Sequence, residues 1–177
     1  MPHWVRRLDR ATNRRINASQ SWHAHDRAYS RLSHLTDRGL LWYAAAAVLM
    51  VLGHRRAALR GVGSMIVAGV VSDVVVKRFF DGLRPVHGEV PITRRLRVYP
   101  TTTSFPSGHS ASAAGFATGV ALESAGAGAI VAPVAAAVAY SRMHVGAHWL
   151  SDVVGGIGIG VVVAILGRLL VPARRSG

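Results

Sequence analysis

The run Val153–Val171 holds nineteen residues with Arg168 as its only charge, and it constrains the chain more than any other stretch. A bilayer span takes about 20 predominantly apolar residues, with about 17 as the usual lower limit, so this run reads as a transmembrane helix. Four shorter apolar runs precede it, Leu40 to Gly53, Gly61 to Val76, Ser110 to Leu122 and Ala125 to Tyr140. The second, third and fourth reach spanning length only with flanking residues such as Phe79, Phe80 or Ser107. In hydrocarbon every backbone polar group must be satisfied within the protein, which runs of this length achieve as helices. The expected fold is therefore all-α: a polytopic membrane bundle of about five helices, with residues 40–171 as the membrane domain. Small-xxx-small pairs at Gly115/Gly119 and Gly156/Gly160 suit close helix packing in lipid.

The charge pattern agrees with this placement. The chain carries a formal net charge of +13 while 50% of its residues are hydrophobic, and the basic residues stand between the apolar runs rather than among them. A soluble nucleic-acid binder would interleave them with polar residues, so no specific nucleic-acid partner is expected. Residues 1–39 hold eight arginines and three aspartates and lack the apolar core of a secretory signal. Val5, Leu8, Ile16, Trp22, Tyr29, Leu32 and Leu35 recur there at roughly helical spacing, which predicts a basic amphipathic helix lying on anionic lipid headgroups. Residues 172–177 form a basic tail. There is no cysteine, which excludes disulfide and thiolate chemistry.

The polar residues at the ends of the runs carry the chemistry. Lys77 and Arg84-Pro85 follow the second run, Pro106-Ser107-Gly108-His109 precede the third, Ser141-Arg142 end the fourth, and His148 and Asp152 open the fifth. If the last four runs span in alternating directions, all of these fall on one membrane face. Lys77, Arg84 and Arg142 brought together would repel one another unless they shared an anion. The planar guanidinium fork and the compact ammonium both suit phosphate. A helix beginning at Ser107-Gly108 would add free amides and a favourable dipole end to such a pocket, with glycine allowing close approach. His148 and Asp152, four apart, would share a helix face, and a carboxylate there can fix one imidazole nitrogen and leave the other as nucleophile. His109 on the opposite wall can donate the proton that a leaving alkoxide needs. Three cations neutralise the charge developing on the phosphoryl oxygens, so the scheme calls for no metal or cofactor.

Arg55, Arg78 and Arg174 fit ordinary loop arginines. His144, His148 and Asp152 have a spacing that could bind zinc, but the surrounding positive charge opposes a divalent cation. His144 is expected as a lining residue, and His25 and His87 as loop histidines. Asp73, one turn before Lys77 in an apolar run, is expected to pair with it. No regular element is expected between about Asp81 and Phe105, where Pro85, Pro91 and Pro100 accompany Arg94, Arg95 and Arg97.

Lys77 to Pro85 reads K-x6-R-P, residues 106 to 109 read P-S-G-H, and residues 141 to 152 read S-R-x5-H-x3-D. This three-part signature resembles the type 2 phosphatidic acid phosphatase superfamily, which includes lipid phosphate phosphatases, bacterial acid phosphatases and vanadium haloperoxidases. The resemblance covers roughly residues 40 to 171 and leaves the N-terminal segment outside. It implies that Lys77, Arg84, Arg142, Ser107 and Gly108 hold the phosphate, with His109 as general acid, His148 as nucleophile and Asp152 as its orienting partner. Residues 139 to 146 also look like the phosphatase halves of bacterial proteins fused to a diacylglycerol-kinase-like domain, and a stand-alone version is expected here. The apolar runs favour a membrane lipid phosphate as substrate: phosphatidate, phosphatidylglycerol phosphate, a polyprenyl diphosphate or a polyprenylphosphoryl sugar phosphate. The alternative classes are a protein that only captures a phospholipid headgroup and a basic interaction module in which the motif is incidental.

The membrane face depends on the first run. If Leu40 to Gly53 spans, the active-site face carries twelve basic residues against six, leaving out Lys77, Arg84 and Arg142, and the positive-inside rule places the site in the cytoplasm. If that run does not span, the count becomes four against fourteen and the site faces outward.

Overall fold

The computed structural model describes residues 1–18, 24–85, 90, 91, 94 and 101–171. His87, Arg95, Arg97, Pro100 and the tail from 172, together with the side chains of His25 and Arg38, lie outside the described residues. Every regular element among those described is helical: α1 (His3–Asn17), α2 (Ala24–Leu35), α3 (Leu40–Val51), α4 (Arg55–Val70), α5 (Gly108–Ala121), α6 (Ala125–His144) and α7 (Leu150–Leu170). A 3-10 turn, Asp37–Gly39, leads into α3 through Gly39 at φ 76°, a conformation that glycine adopts without strain. Past Val70, α4 loosens into a π turn at Val71–Val75 and tightens into a 3-10 turn at Val76–Phe79. The change of pitch falls on Asp73 and Lys77. Interruptions of this kind often mark functional positions in helices.

α4 with its continuation (Arg55–Phe79), α6 and α7 are long and apolar enough to cross a membrane. α3 is a shorter apolar helix. α5 has fourteen residues, about 21 Å at 1.5 Å per residue, so the third apolar run falls short of a full span. It is instead the enclosed centre of the bundle, packed against α4, α6 and α7. Both glycine pairs serve that helix. A Cβ on Gly115 would lie 2.8 Å from the Ser64 carbonyl oxygen and one on Gly119 2.9 Å from that of Arg60, so α4 rests on the α5 backbone. On the other side, a Cβ on Gly160 would lie 2.6 Å from the Gly115 amide, and one on Gly156 would meet the Ser107 carbonyl.

The interior is built of small residues, among them Ala57, Ala58, Ala68, Ala111, Ala113, Ala117 and Ala164, around Trp42 and Phe116, whose rings lie 5.0 Å apart. Large aliphatic side chains point outward: Leu59, Ile66, Val67, Ile130, Val154, Val162, Leu166 and Leu169 are all exposed. This arrangement suits hydrocarbon surroundings, where close backbone packing drives helix association and outward leucines cost nothing. The chain is a membrane protein on these grounds.

Residues 1–39 differ from the single amphipathic helix expected of them. They form two helices, and α1 turns Asp9, Asn13 and Asn17 inward while Trp4 and Leu8 stay exposed. α1 packs on α7 and α6, and α2 on α6. Both sit at the end of the bundle that carries the sequence signature, through Asp9 on Ser151, Asp26 on His144 and Asp37 on His109.

Candidate active site

The turn between α6 and α7 follows from its sequence. α6 ends at His144, Gly146 takes φ 68°, and the amides of Ala147 and His148 bond back to the Arg142 carbonyl at 3.0 and 3.2 Å. This glycine-terminated helix end sets His148 immediately after Arg142 in space. His148 precedes Trp149, the N-cap of α7, so it stands in the turn and not on the helix face that a four-residue spacing predicts. Asp152 is in the first turn of α7, where its Oδ2 accepts the Trp149 amide at 2.8 Å and the Ser104 hydroxyl. Asp9 of α1 adds a second carboxylate to that helix start, accepting the amide and hydroxyl of Ser151 at 2.9 and 2.8 Å. Both carboxylates match the positive end of the helix dipole.

His148 is 4% exposed. Its Nδ1 lies 2.9 Å from the Ser104 carbonyl and 3.6 Å from Asp152 Oδ2. A carbonyl only accepts, so Nδ1 carries the proton and Nε2 presents its lone pair. The direct acceptor is therefore Ser104, while Asp152 lies just behind it. Ser104 was not among the residues singled out from the sequence. A backbone carbonyl carries no side-chain signature, so nothing in the sequence marks this role. Arg84 Nη1 stands 3.4 Å from Nε2 and 2.7 Å from the Ala147 carbonyl. The same guanidinium donates to the Thr102 carbonyl at 3.1 Å and the Thr103 carbonyl at 3.2 Å, which fixes its plane beside the histidine. Burial pushes the His148 imidazole down to about 4, with Arg142 and Arg84 acting in the same direction against Asp152.

His109, the second residue of α5, faces a different acid. Its Nε2 lies 3.1 Å from Oδ1 of Asp37 in the turn after α2. That hydrogen bond holds the Asp37 carboxyl below its ordinary value. Arg142 is close enough to act electrostatically on both histidines, and it donates to the Ser33 hydroxyl of α2. Lys77 is 2.6 Å from Asp73, the pairing expected from their spacing. Asp73 in turn rests on Gly108: a Cβ there would lie 2.5 and 2.6 Å from its two carboxylate oxygens. Lys77 is thus tied to the start of α5 through an acid.

Ser107 is fully buried and its groups are committed to the framework. Its hydroxyl N-caps α5 by accepting the Ser110 amide at 3.4 Å, and its own amide donates to the Asp152 carbonyl at 3.0 Å. His144 bonds Asp26 of α2 at 3.0 Å and packs beside Tyr29, while Arg94 meets the same carboxylate at 3.0 Å. Among the described residues no three histidine or acidic side chains are grouped so as to hold a metal ion. The signature residues thus gather at one end of the bundle, around Arg142, with His148, Arg84 and Asp152 on one side and His109, Gly108 and Lys77 on the other. The N-terminal acids Asp9, Asp26 and Asp37, which drew no functional reading, each contact this end. Their signal was available: they are the only acids in a segment otherwise rich in arginine.

Residues 57–176 match the PAP2 superfamily, more than half of the chain. The crystal structure of the first transmembrane PAP2 type phosphatidylglycerolphosphate phosphatase from Bacillus subtilis shares the fold with a TM-score of 0.72 at 20% identity, over 98% of this chain and 90% of that one. LpxE from Aquifex aeolicus shares it with a TM-score of 0.66 at 24% identity, over 90% of this chain and 93% of the other. No curated protein matches the sequence.

Proposed function

The chain belongs to the PAP2 superfamily, and from that premise we propose that it is an integral membrane phosphatase of the cell membrane that hydrolyses a phosphate monoester or diphosphate on a lipid through a phosphohistidine at His148. The observation that carries this reading is the state of His148: buried, bonded through Nδ1 to a carbonyl at 2.9 Å, with Nε2 beside the Arg84 guanidinium. An imidazole so held is neutral at physiological pH and offers one lone pair to an electrophile.

A phosphoryl group in front of Nε2 would meet Arg84 and Arg142, with Lys77 and the amides of Gly108 and His109 on the α5 side. Ser107 contributes by fixing the start of α5, since its hydroxyl is already used as a cap. Nε2 attacks phosphorus as the bond to the leaving oxygen breaks, and His109 supplies the proton to that oxygen. Water then attacks the phosphohistidine with His109 as base, releasing inorganic phosphate. The cations stabilise the charge on the phosphoryl oxygens in both steps, a role that needs no metal. Asp152 balances the charge that His148 gains.

The bilayer-facing surface favours a lipid substrate, whose headgroup would enter at this end while its chains remain in hydrocarbon. The phosphatidylglycerolphosphate phosphatase fold relative supports a glycerolipid phosphate, and polyprenyl diphosphates and polyprenylphosphoryl sugar phosphates carry the same group. Exposed Trp4 and Leu8 beside Arg6, Arg7 and Arg10 suit contact with anionic headgroups around the site. The test is a screen of these lipid phosphates with purified protein in detergent, with chelator present and phosphate release as readout. Release that vanadate inhibits and that Arg84→Ala lowers by about 10²-fold or more supports the reading. Headgroup binding without release from any of them would leave a binding protein instead.

A further inference from the structure

His109 has a partner outside the three-part signature. Asp37 sits in the turn between α2 and α3, and its Oδ1 is 3.1 Å from His109 Nε2. The turn is braced: the Thr36 hydroxyl donates to the Ser33 carbonyl at 2.8 Å, and the Gly39 amide to the Thr36 carbonyl at 3.1 Å. His34 of α2 lies 3.5 Å from the other carboxylate oxygen. The charged groups that face His109 are Asp37 from the turn, Arg142 from α6 and Asp73 from the π turn, the last already paired with Lys77. Burial pushes the His109 imidazole below its ordinary value and Arg142 pushes the same way, while the hydrogen bond to Asp37 is the strongest opposing influence.

We propose that Asp37 is the positioning residue of the general acid, holding His109 by Nε2 and balancing the imidazolium when it forms, so that the ring delivers its proton through Nδ1. This rests on the phosphatase reading above. Among the described residues no group hydrogen-bonds Nδ1, so it is the nitrogen left for the leaving oxygen. In the first step the bond from His148 Nε2 to phosphorus forms, the bond to the leaving oxygen breaks, and the Nδ1 proton moves to that oxygen. His109 is left neutral, keeping its Nε2 proton and donating it in the hydrogen bond to the Asp37 carboxylate. In the second step Nδ1 takes a proton from the attacking water, and the Asp37 carboxylate again balances the imidazolium. The N-terminal segment thereby supplies part of the catalytic apparatus.

The experiment compares wild type, Asp37→Asn and Asp37→Glu in detergent, using phosphatidate and undecaprenyl diphosphate in mixed micelles and p-nitrophenyl phosphate, whose leaving group departs without a proton. On the lipid substrate, Asp37→Asn is expected to lose about 10²-fold in kcat with little change in KM, the scale of a general acid's contribution. Its alkaline limb moves to lower pH, because the charge that favours the imidazolium is gone. Asp37→Glu recovers part of the rate, and in the first turnover, read as leaving-group release before phosphohistidine hydrolysis, the deficit is much smaller with p-nitrophenyl phosphate. An Asp37→Asn enzyme as fast as or faster than wild type, or one whose first-turnover release is equally impaired with both kinds of leaving group, overturns the proposal. Wild-type protein that releases no phosphate from any lipid refutes the parent reading instead, and equal elution of the variants in gel filtration separates loss of activity from loss of fold.

Discussion

At the residue scale the site is a set of charges each answered by a specific partner. Gly108 shows how tight the arrangement is. Alanine there would put a Cβ against both oxygens of Asp73, which must swing away and take Lys77 with it. Gly108→Ala is expected to lower kcat/KM by about 10-fold or more while the helices stay intact, checked by phosphate release beside circular dichroism. His148 gives a pH prediction. Burial, aided by Arg142 and Arg84, pushes it down to about 4, so as the proposed nucleophile it is expected to stay unprotonated well below neutrality and to be lost only as pH falls through that value. After correction for the second ionisation of the substrate phosphate, the acid limb of kcat/KM should lie near 4. A half-loss near the ordinary histidine value would contradict the burial argument. The motif residues were legible in the sequence because their chemistry is unusual at helix ends. Their partners were not: Ser104 acts largely through a carbonyl, and Asp9, Asp26 and Asp37 come from a segment whose arginines dominate its pattern.

At the scale of elements, the account turns on α5, which carries Gly108 and His109 and is held between α4 and α7 by glycine contacts. Gly115/Gly119 and Gly156/Gly160 were visible as small-residue pairs, and they mark these two seams. A leucine at Gly160 would drive into the backbone of α5, and overpacking of that kind typically costs about 1–3 kcal/mol, more where backbone must move. Gly160→Leu should lower the detergent-solubilised Tm and release the start of α5 from Asp152, while Gly158→Leu, at a position with open space, should leave the Tm unchanged. Element lengths were harder to read. Apolarity does not tell a buried core helix from a lipid-facing one, so Ser110 to Leu122 looked like a candidate span although α5 is too short and is enclosed by its neighbours. A four-residue spacing puts His148 on a helix face because spacing alone ignores Gly146, whose positive φ stops α6 and puts the histidine in the turn. The helical register of residues 1–39 was apparent, but its break into α1 and α2 was not, since the apolar residues continue at helical spacing across it.

At the scale of the whole molecule, small residues inside and large aliphatics outside make this a membrane bundle with its chemistry at one end. α1 and α2 pack at that end, as they would if the first apolar run crosses, and on that reading the positive-inside rule predicts a cytoplasmic site. The chain has no cysteine, so a single Leu83→Cys, 91% exposed beside the site, reports the face cleanly. It should resist an impermeant maleimide added to intact cells and react once they are opened; labelling in intact cells would place the site outside. The central claim is phosphoryl transfer to His148, and it can be observed directly. Protein mixed with a lipid phosphate carrying ³²P and quenched in alkali within milliseconds should hold an acid-labile, alkali-stable label on His148. His148→Ala should show neither label nor turnover, whereas turnover persisting in that variant, or label on another residue, would contradict the account.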